Sequence, residues 1–211
     1  MMRIDALSNQ PDRAGRYAVQ FEDGTGLRLY RQTVEDFGLY AGKMLTDEEL
    51  SQLHVAAGRM SAKMRAVRIV SSASISKGEL ERRLVQKGES SRDAQEAVDW
   101  MTELDLLDDR KTAQQIVQRC IGRGYGLARA KQALYEKRIP KLYWEEVLAD
   151  YPDQTVAIVA FLSARLSDGC DEKDLRRVTD ALLRKGHSYQ EIRRALNIYM
   201  KNADFQEDFY G

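Results

Sequence analysis

A threefold internal repeat constrains the fold more than any other feature of this sequence. Three stretches align when laid over one another: RRLVQKGESSRDAQEAV, QALYEKRIPKLYWEEVL and DALLRKGHSYQEIRRAL. Their leucines Leu84, Leu134 and Leu182 recur at intervals of about 50 residues, and a period of this length is typical of stacked helical units.

Each aligned stretch has the pattern of two helices joined by a tight turn. Each leucine is followed three residues later by a lysine, and the next position holds Gly88, Arg138 or Gly186. Ser90, Pro140 and Ser188 come two residues further on, and these residue types suit the start of a helix. Apolar residues three and four apart predict the buried helix faces. They are Leu80, Leu84, Leu127, Ala130, Leu134, Leu175, Val178 and Leu182 before the turns, and Ala94, Val98, Trp144, Leu148, Ile192 and Leu196 after them.

A further apolar helix precedes each stretch, in AKMRAVRIV, TAQQIVQRCI and TVAIVAFLSARL. The sequence therefore predicts a mainly α protein of tandem three-helix repeats that form an elongated curved array. We place the boundaries as follows: an N-terminal β-hairpin extension at 1–45, a linking helix at 46–60, repeats at 61–108, 109–151 and 152–203, and an acidic tail at 204–211.

The N-terminal segment has a different pattern. In RYAVQFEDGTGLRLY, apolar residues alternate on both sides of DGTG, which predicts a β-hairpin with room for a third strand from Arg3 to Leu7. Thr46 and Glu49 then form a capping box that starts a helix. We expect that helix to run from about Asp47 towards Val70, with a break near Gly58.

Composition indicates a soluble cytoplasmic protein. The 211 residues are 43% apolar, but no apolar run approaches the roughly 20 residues of a membrane span. Charges at Arg3 and Asp5 stand where a signal peptide would be apolar. Cys120 and Cys170 are the two cysteines, which argues against a disulfide framework or zinc site. We expect Cys120 to be a small buried residue.

Charge is sorted along the chain although the net charge is zero. Residues 96–109 contain six acidic residues and neither lysine nor arginine, whereas residues 110–141 contain nine cations and one anion, Glu136. Such a run suits either a solvated helical surface or a contact with a polyanion or acidic protein. Both interpretations stay open at this point.

The glycine-rich stretch RCIGRGYGLARAKQAL raises the question of a phosphate-binding loop. It lacks the Lys-Ser/Thr pair and the preceding strand of a Walker loop, and the dinucleotide fingerprint fails as well. We interpret Gly122, Gly124 and Gly126 as a helix C-cap and the turn into the next helix. Arg119, Arg123, Arg129 and Lys131 should make this corner positive.

Catalytic residues are not indicated. His54 and His187 have no nucleophile or acid at a recognisable spacing, and we expect His187 to be exposed in a turn. Asp108 and Asp109 precede a helix, so we expect them to cap it and not to bind metal. We predict that the protein is not an enzyme and has no metal or cofactor.

Several of these stretches together resemble the RecX family of recombination regulators. They are KGELERRLVQKG (77–88), LDLLDDRKTAQ (104–114), GYGLARAKQALYEKRI (124–139) and LLRKGHSYQEIRRAL in the third repeat. The chain departs from the family at Leu127, Ala133 and Arg138, where proline, glutamate and glycine are usual, and the first repeat lacks arginines before Ser76. The resemblance implies a protein that binds the RecA filament on DNA, lies in its helical groove and lowers its ATPase and strand-exchange activity.

The leading hypothesis is therefore a monomeric regulator that binds the RecA filament, binds bare DNA only weakly and does not bind membranes. Its expected basic face consists of Arg119, Arg123, Arg129, Lys131, Lys137, Arg138, Arg82, Arg83 and Lys87. A general nucleic-acid-binding helical module is the alternative. A third hypothesis is a helical adaptor for another protein, with Tyr125, Tyr135, Tyr143 and Trp144 as interface anchors.

Overall fold

A computed structural model describes residues 1–166 and 170–210, with the backbone alone for residues 202–210. The chain divides into two compact units, Met1–Leu107 and Asp108–Gly211. Each unit has its own buried apolar clusters.

The first unit begins with a four-stranded antiparallel sheet. Its strands are β1 (Met2–Leu7), β2 (Arg16–Phe21), β3 (Gly26–Tyr30) and β4 (Met44–Leu45), in the order β3-β2-β1-β4. The predicted hairpin is confirmed as β2 and β3, with Tyr17 opposite Leu29, and the third strand is confirmed as β1. β4 and the short helix α1 (Arg31–Asp36) were not predicted, because two and six residues are too short for a periodic signal.

Three helices complete the first unit: α2 (Asp47–Ser72), α3 (Lys77–Gln86) and α4 (Ser91–Glu103). The capping box of Thr46 and Glu49 is confirmed at the start of α2. The break expected near Gly58 is wrong, because α2 continues through this residue. A Cβ at Gly58 would lie 2.8 Å from Asp93 Oδ2. Gly58 therefore permits a close approach of α2 and α4 and does not end a helix.

Two apolar clusters stabilise the first unit. One joins the sheet to the start of α2 through Ile4, Phe21 and Leu53, and the other packs α2 against α3 and α4. The four predicted inward positions of the first repeat are all buried: Leu80, Leu84, Ala94 and Val98.

The second unit is helical throughout its described part. Its helices are α5 (Asp109–Gly122), α6 (Leu127–Glu136), α7 (Trp144–Leu148), α8 (Thr155–Ser163), α9 (Glu172–Arg184) and α10 (Tyr189–Tyr210), with a 3-10 turn at Lys141–Tyr143 before α7. Asp108 is the N-cap of α5 and accepts the Lys111 N–H at 2.9 Å, so its predicted capping role is confirmed. Together with the first unit, these elements confirm the mainly α class.

The predicted inward positions of the second unit are buried to different extents. Ala130, Leu134, Val178, Leu182 and Ile192 are buried. The positions that are half-buried are Leu127, Trp144, Leu148, Leu175 and Leu196. The backbone of α10 runs through most of the predicted tail, but the side chains of 204–211 lie outside the described part of the chain. No helix among the described residues is long and apolar enough to cross a membrane.

Candidate interaction surface of the second repeat

The predicted basic residues of the middle repeat lie on α5, on α6 and on the turns that follow them. Arg119 is in the last turn of α5, and Arg123 is its C-cap. Arg129 and Lys131 lie on α6, while Lys137 and Arg138 follow its end. All six are exposed except Arg129, which is half-buried.

Salt bridges compensate only part of this positive charge. Arg129 Nη1 lies 3.3 Å from Glu136 Oε1, and Arg110 Nε donates to Glu146 Oε1 at 2.8 Å. Within residues 1–166 and 170–201, no acidic side chain forms a salt bridge with five of the other cations, Arg119, Arg123, Lys131, Arg138 and Lys141. The second repeat therefore presents uncompensated positive charge to solvent.

Cys120 lies in the last turn of α5 and is buried as predicted. Burial raises the pKa of the Cys120 thiol, while the charges of Arg129, Arg123 and Arg119 act in the opposite direction. Arg119 and Arg123 lie at the C-terminal end of α5, and Arg129 lies in the first turn of α6. The positive charge that acts on Cys120 thus comes from the two helices that flank the glycine-rich turn.

The basic residues expected in the first repeat have a different environment. Arg82 and Arg83 both bind the buried Glu79, at 2.7 Å and 2.9 Å. Hydrogen bonding to Arg82, together with Arg83, lowers the pKa of Glu79 to about 2 despite its burial. The spacings of three and four residues from Glu79 are typical of ion pairs on one face of a helix, so these pairs can be recognised in the sequence. Lys87, the C-cap of α3, is exposed.

The glycine-rich turn confirms the prediction of a helix end followed by a helix start. α5 ends at Gly122, Gly124 adopts a φ of 61°, and Gly126 is the N-cap of α6. The Gly126 N–H donates to Lys185 O at 3.0 Å, and the Ala128 N–H donates to Gly186 O at 3.3 Å. Carbonyl oxygens from the end of α9 therefore occupy the place where a phosphate would bind a helix N-terminus.

The expectation that His187 is exposed is wrong. Its side chain lies under the glycine-rich turn, and the residue is 4% exposed. Its Nε2 lies 3.0 Å from Gly124 O, to which it can donate. Burial lowers the pKa of His187, which favours the neutral ring. The sequence could not show this contact because Gly124 belongs to the preceding repeat.

A groove between α6 and α7 was not predicted. It has a volume of about 460 Å³ and is lined by Leu127 and Lys131 of α6, by Lys141, and by Trp144, Glu145 and Leu148 of α7. The half-burial of Leu127, Trp144 and Leu148 follows from their position in its wall. Helical periodicity predicts that these residues lie on the inward faces of α6 and α7. It does not show that the two faces leave a groove between them.

The described residues contain no group of three or more His, Cys, Asp and Glu side chains that could hold a metal ion. The second unit presents a charged surface beside a partly apolar groove.

Comparison with known proteins gives consistent results. No family model matches the sequence. A protein of Vibrio vulnificus named Regulatory protein RecX is 26% identical over 141 residues, which cover 65% of this chain and 92% of the relative. A protein of the same name from Clostridioides difficile is 24% identical over 200 residues, covering 92% of this chain and 94% of the relative.

Solved structures show the same fold. A crystal structure of regulatory protein RecX has a TM-score of 0.63 at 16% identity and covers 93% of this chain and 100% of its own. RecX from Lactobacillus salivarius has a TM-score of 0.57 at 22% identity, with 68% and 97% coverage. The named sequence relatives agree with the resemblance carried by the repeats, and the structural neighbours share the fold, so the chain is similar to RecX proteins in both sequence and fold.

Proposed function

We propose that this protein is a regulator that binds the RecA filament on DNA and lowers its ATPase and strand-exchange activity. Its relatives are named as regulatory proteins. The single structural observation that carries the proposal is the uncompensated positive charge of the second repeat. A filament on DNA offers such a surface both phosphates and acidic protein side chains.

The proposed mechanism is a clamp and involves no chemistry on a substrate. A regulator bound across neighbouring subunits would resist the subunit motions that ATP turnover and strand exchange require. It would need to bind the assembled filament more tightly than the separate components, since only differential affinity shifts an equilibrium. Bare DNA should accordingly be a weak ligand.

Arg119, Arg123 and Lys131 are the best residues with which to test the contact, because they are exposed and outside the salt bridges described above. Their joint substitution by alanine should weaken co-sedimentation with RecA filaments on single-stranded DNA by about tenfold or more, since several charge-assisted contacts would be lost. Arg13→Ala, Lys173→Ala and Arg176→Ala remove the same charge from exposed positions outside the second repeat.

The control triple variant should bind filaments as the parent does. Equal binding by the parent and the Arg119/Arg123/Lys131 variant would exclude this surface from the contact. If the parent instead bound bare single-stranded DNA as tightly as the filament, a general nucleic-acid-binding module would be the better account.

A further inference from the structure

We propose that the groove between α6 and α7 binds an apolar side chain of an acidic protein segment. The inference rests on the proposed function for the identity of the partner, because a filament contact at the second repeat would bring protein to this groove. It goes beyond that function by separating a protein-binding site from the positive charge around Cys120.

The groove exists because the third helix of the second repeat is short. α7 has five residues, whereas α4 and α10, which hold the same place in the other repeats, have 13 and 22. Pro140 and the 3-10 turn at Lys141–Tyr143 delay the start of α7. α7 therefore covers less of α6 than a full helix would, and Leu127 at the first position of α6 stays half-buried.

Trp144 gives the groove a fixed apolar wall. Its indole Nε1 donates to Ile139 O at 3.0 Å, which sets the orientation of the ring. Leu127 and Leu148 contribute the other large apolar surfaces. A preformed pocket of this size can bury an aromatic or leucine side chain with little loss of side-chain entropy on the protein.

The rim selects for negative charge in the partner. Lys131 and Lys141 line the groove and form no salt bridge with the residues that the structure describes, whereas Glu145 is the one acidic residue among the lining. Tyr135 lies one helical turn beyond Lys131 on the same side of α6 and is 68% exposed, which extends the amphipathic surface. Aromatic residues beside cations are the usual anchors of protein interfaces.

A protein segment fits this lining better than a nucleic acid does. The floor is apolar, so it can bury an apolar side chain of a peptide but offers a charged phosphate backbone no matching contact, and the Glu145 carboxylate can accept a peptide N–H. Carboxylates that flank an apolar anchor would lie near the two lysines. The expected partner motif is therefore a phenylalanine or leucine with aspartate or glutamate on both sides.

The test uses the full-length protein with Trp100→Phe, so that Trp144 is the one tryptophan left in the sequence. The probe is a short synthetic peptide with one phenylalanine among aspartates and glutamates, and binding is followed by Trp144 fluorescence. We expect a saturable change. A peptide with alanine in place of phenylalanine, or with lysines in place of the acids, should bind about tenfold more weakly or less.

Two variants locate the binding site. Ala149→Phe fills the groove from an exposed lining position, and Lys131→Glu with Lys141→Glu reverses its rim. Both should abolish peptide binding, whereas Lys173→Glu with Arg176→Glu should not change it. Circular dichroism of each variant checks that the helices are intact.

Equal binding of the three peptides, or unchanged binding by Ala149→Phe, would overturn the proposal. So would a fluorescence response to single-stranded oligonucleotide without one to the acidic peptide. The measurement needs no RecA, so the two claims can fail separately. If the protein binds filaments but not the peptide, only the proposal for the groove is wrong. If it binds the peptide but not filaments, only the proposed function is wrong.

Discussion

At the scale of single residues, Arg138 shows how one repeat differs from its neighbours. It adopts a left-handed backbone conformation with a φ of 54°, at the position where the other repeats have Gly88 and Gly186 with φ values of 91° and 89°. A side chain in this region costs free energy that glycine avoids. The aligned sequences identify the position correctly, but they do not show that Arg138 would adopt the glycine conformation.

We predict that Arg138→Gly raises the free energy of unfolding by about 0.5–1 kcal/mol, because relief of the backbone strain exceeds the added entropy of the unfolded chain. Gly88→Ala is the converse, since its added Cβ meets no atom within 4 Å and only the backbone conformation is affected. It should destabilise the protein by about 1–2 kcal/mol. Urea unfolding measures both, and a destabilised Arg138→Gly variant would contradict the argument.

His187 is the residue whose protonation should affect stability most directly. Burial lowers the pKa of His187, Lys185 acts in the same direction, and the hydrogen bond to Gly124 and the charge of Glu191 oppose the shift. The Nδ1 atom has no hydrogen-bond partner in the described part of the chain. A proton added at low pH would therefore charge a ring that is removed from solvent.

Because the folded state holds this proton less tightly than the unfolded state, stability should be complete above the ordinary histidine pKa of about 6.5 and should fall as the pH drops below it. His187→Gln removes this titration, so its stability should fall less steeply between about pH 6.5 and 5. The same slope in the parent and in His187→Gln would show that His187 does not titrate differently on folding.

At the scale of elements, the second and third repeats are joined by the turn before α6 and the turn after α9. A Cβ at Gly126 would lie 2.0 Å from Gly186 O, and one at Gly186 would lie 2.3 Å from the Arg129 N atom. The two turns thus approach backbone to backbone, with the Gly126 N–H donating across the contact. Gly126 therefore serves packing between the repeats and not phosphate binding.

Gly126→Ala should therefore lower the free energy of unfolding by about 2 kcal/mol or more, because the overpacked turns must separate. Gly122→Ala is a matched control in the same stretch, since its Cβ meets nothing within 4 Å and the residue is helical. It should be neutral or stabilise the protein by up to about 1 kcal/mol. Thermal unfolding compares the two, and equal effects would show that the close approach is not tight.

The elements differ in how far the sequence could predict them. The repeat helices and the hairpin follow from periodicity and turn residues, which are local signals. Gly58 in α2 packs against Asp93, and the buried His187 contacts Gly124. Both contacts join residues that are distant in the sequence, so local patterns could not predict them. The basic residues of the second repeat could be found from composition, but the groove beside them depends on where the short α7 packs.

At the scale of the whole molecule, zero net charge conceals an uneven distribution. Within the acidic stretch 96–109, Glu96 binds Arg59 and Arg92 and so is largely compensated. Among residues 1–166 and 170–201, the cations Arg119, Arg123, Lys131, Arg138 and Lys141 of the second repeat form no salt bridge, so positive charge is concentrated there. A chain of this kind should have little general affinity for polyanions but a definite affinity for a partner that matches one local surface.

Salt dependence should separate these two kinds of binding. Contacts made only to phosphates weaken steeply with added salt through counterion release. A contact that also buries an apolar anchor in the α6–α7 groove gains a free energy that salt does not screen. At high salt, filament binding should therefore stay measurably stronger for the parent than for Ala149→Phe. Equal affinity of the two proteins at high salt would mean that the groove adds nothing to filament binding.

The central claim is tested most directly by DNA-dependent ATP hydrolysis of RecA from the same organism, titrated with this protein at fixed salt beside its binding to bare single-stranded DNA. We predict inhibition at concentrations well below those needed to coat the free DNA. Loss of hydrolysis only when the DNA itself is saturated, or no inhibition at all, would contradict a filament-specific regulator.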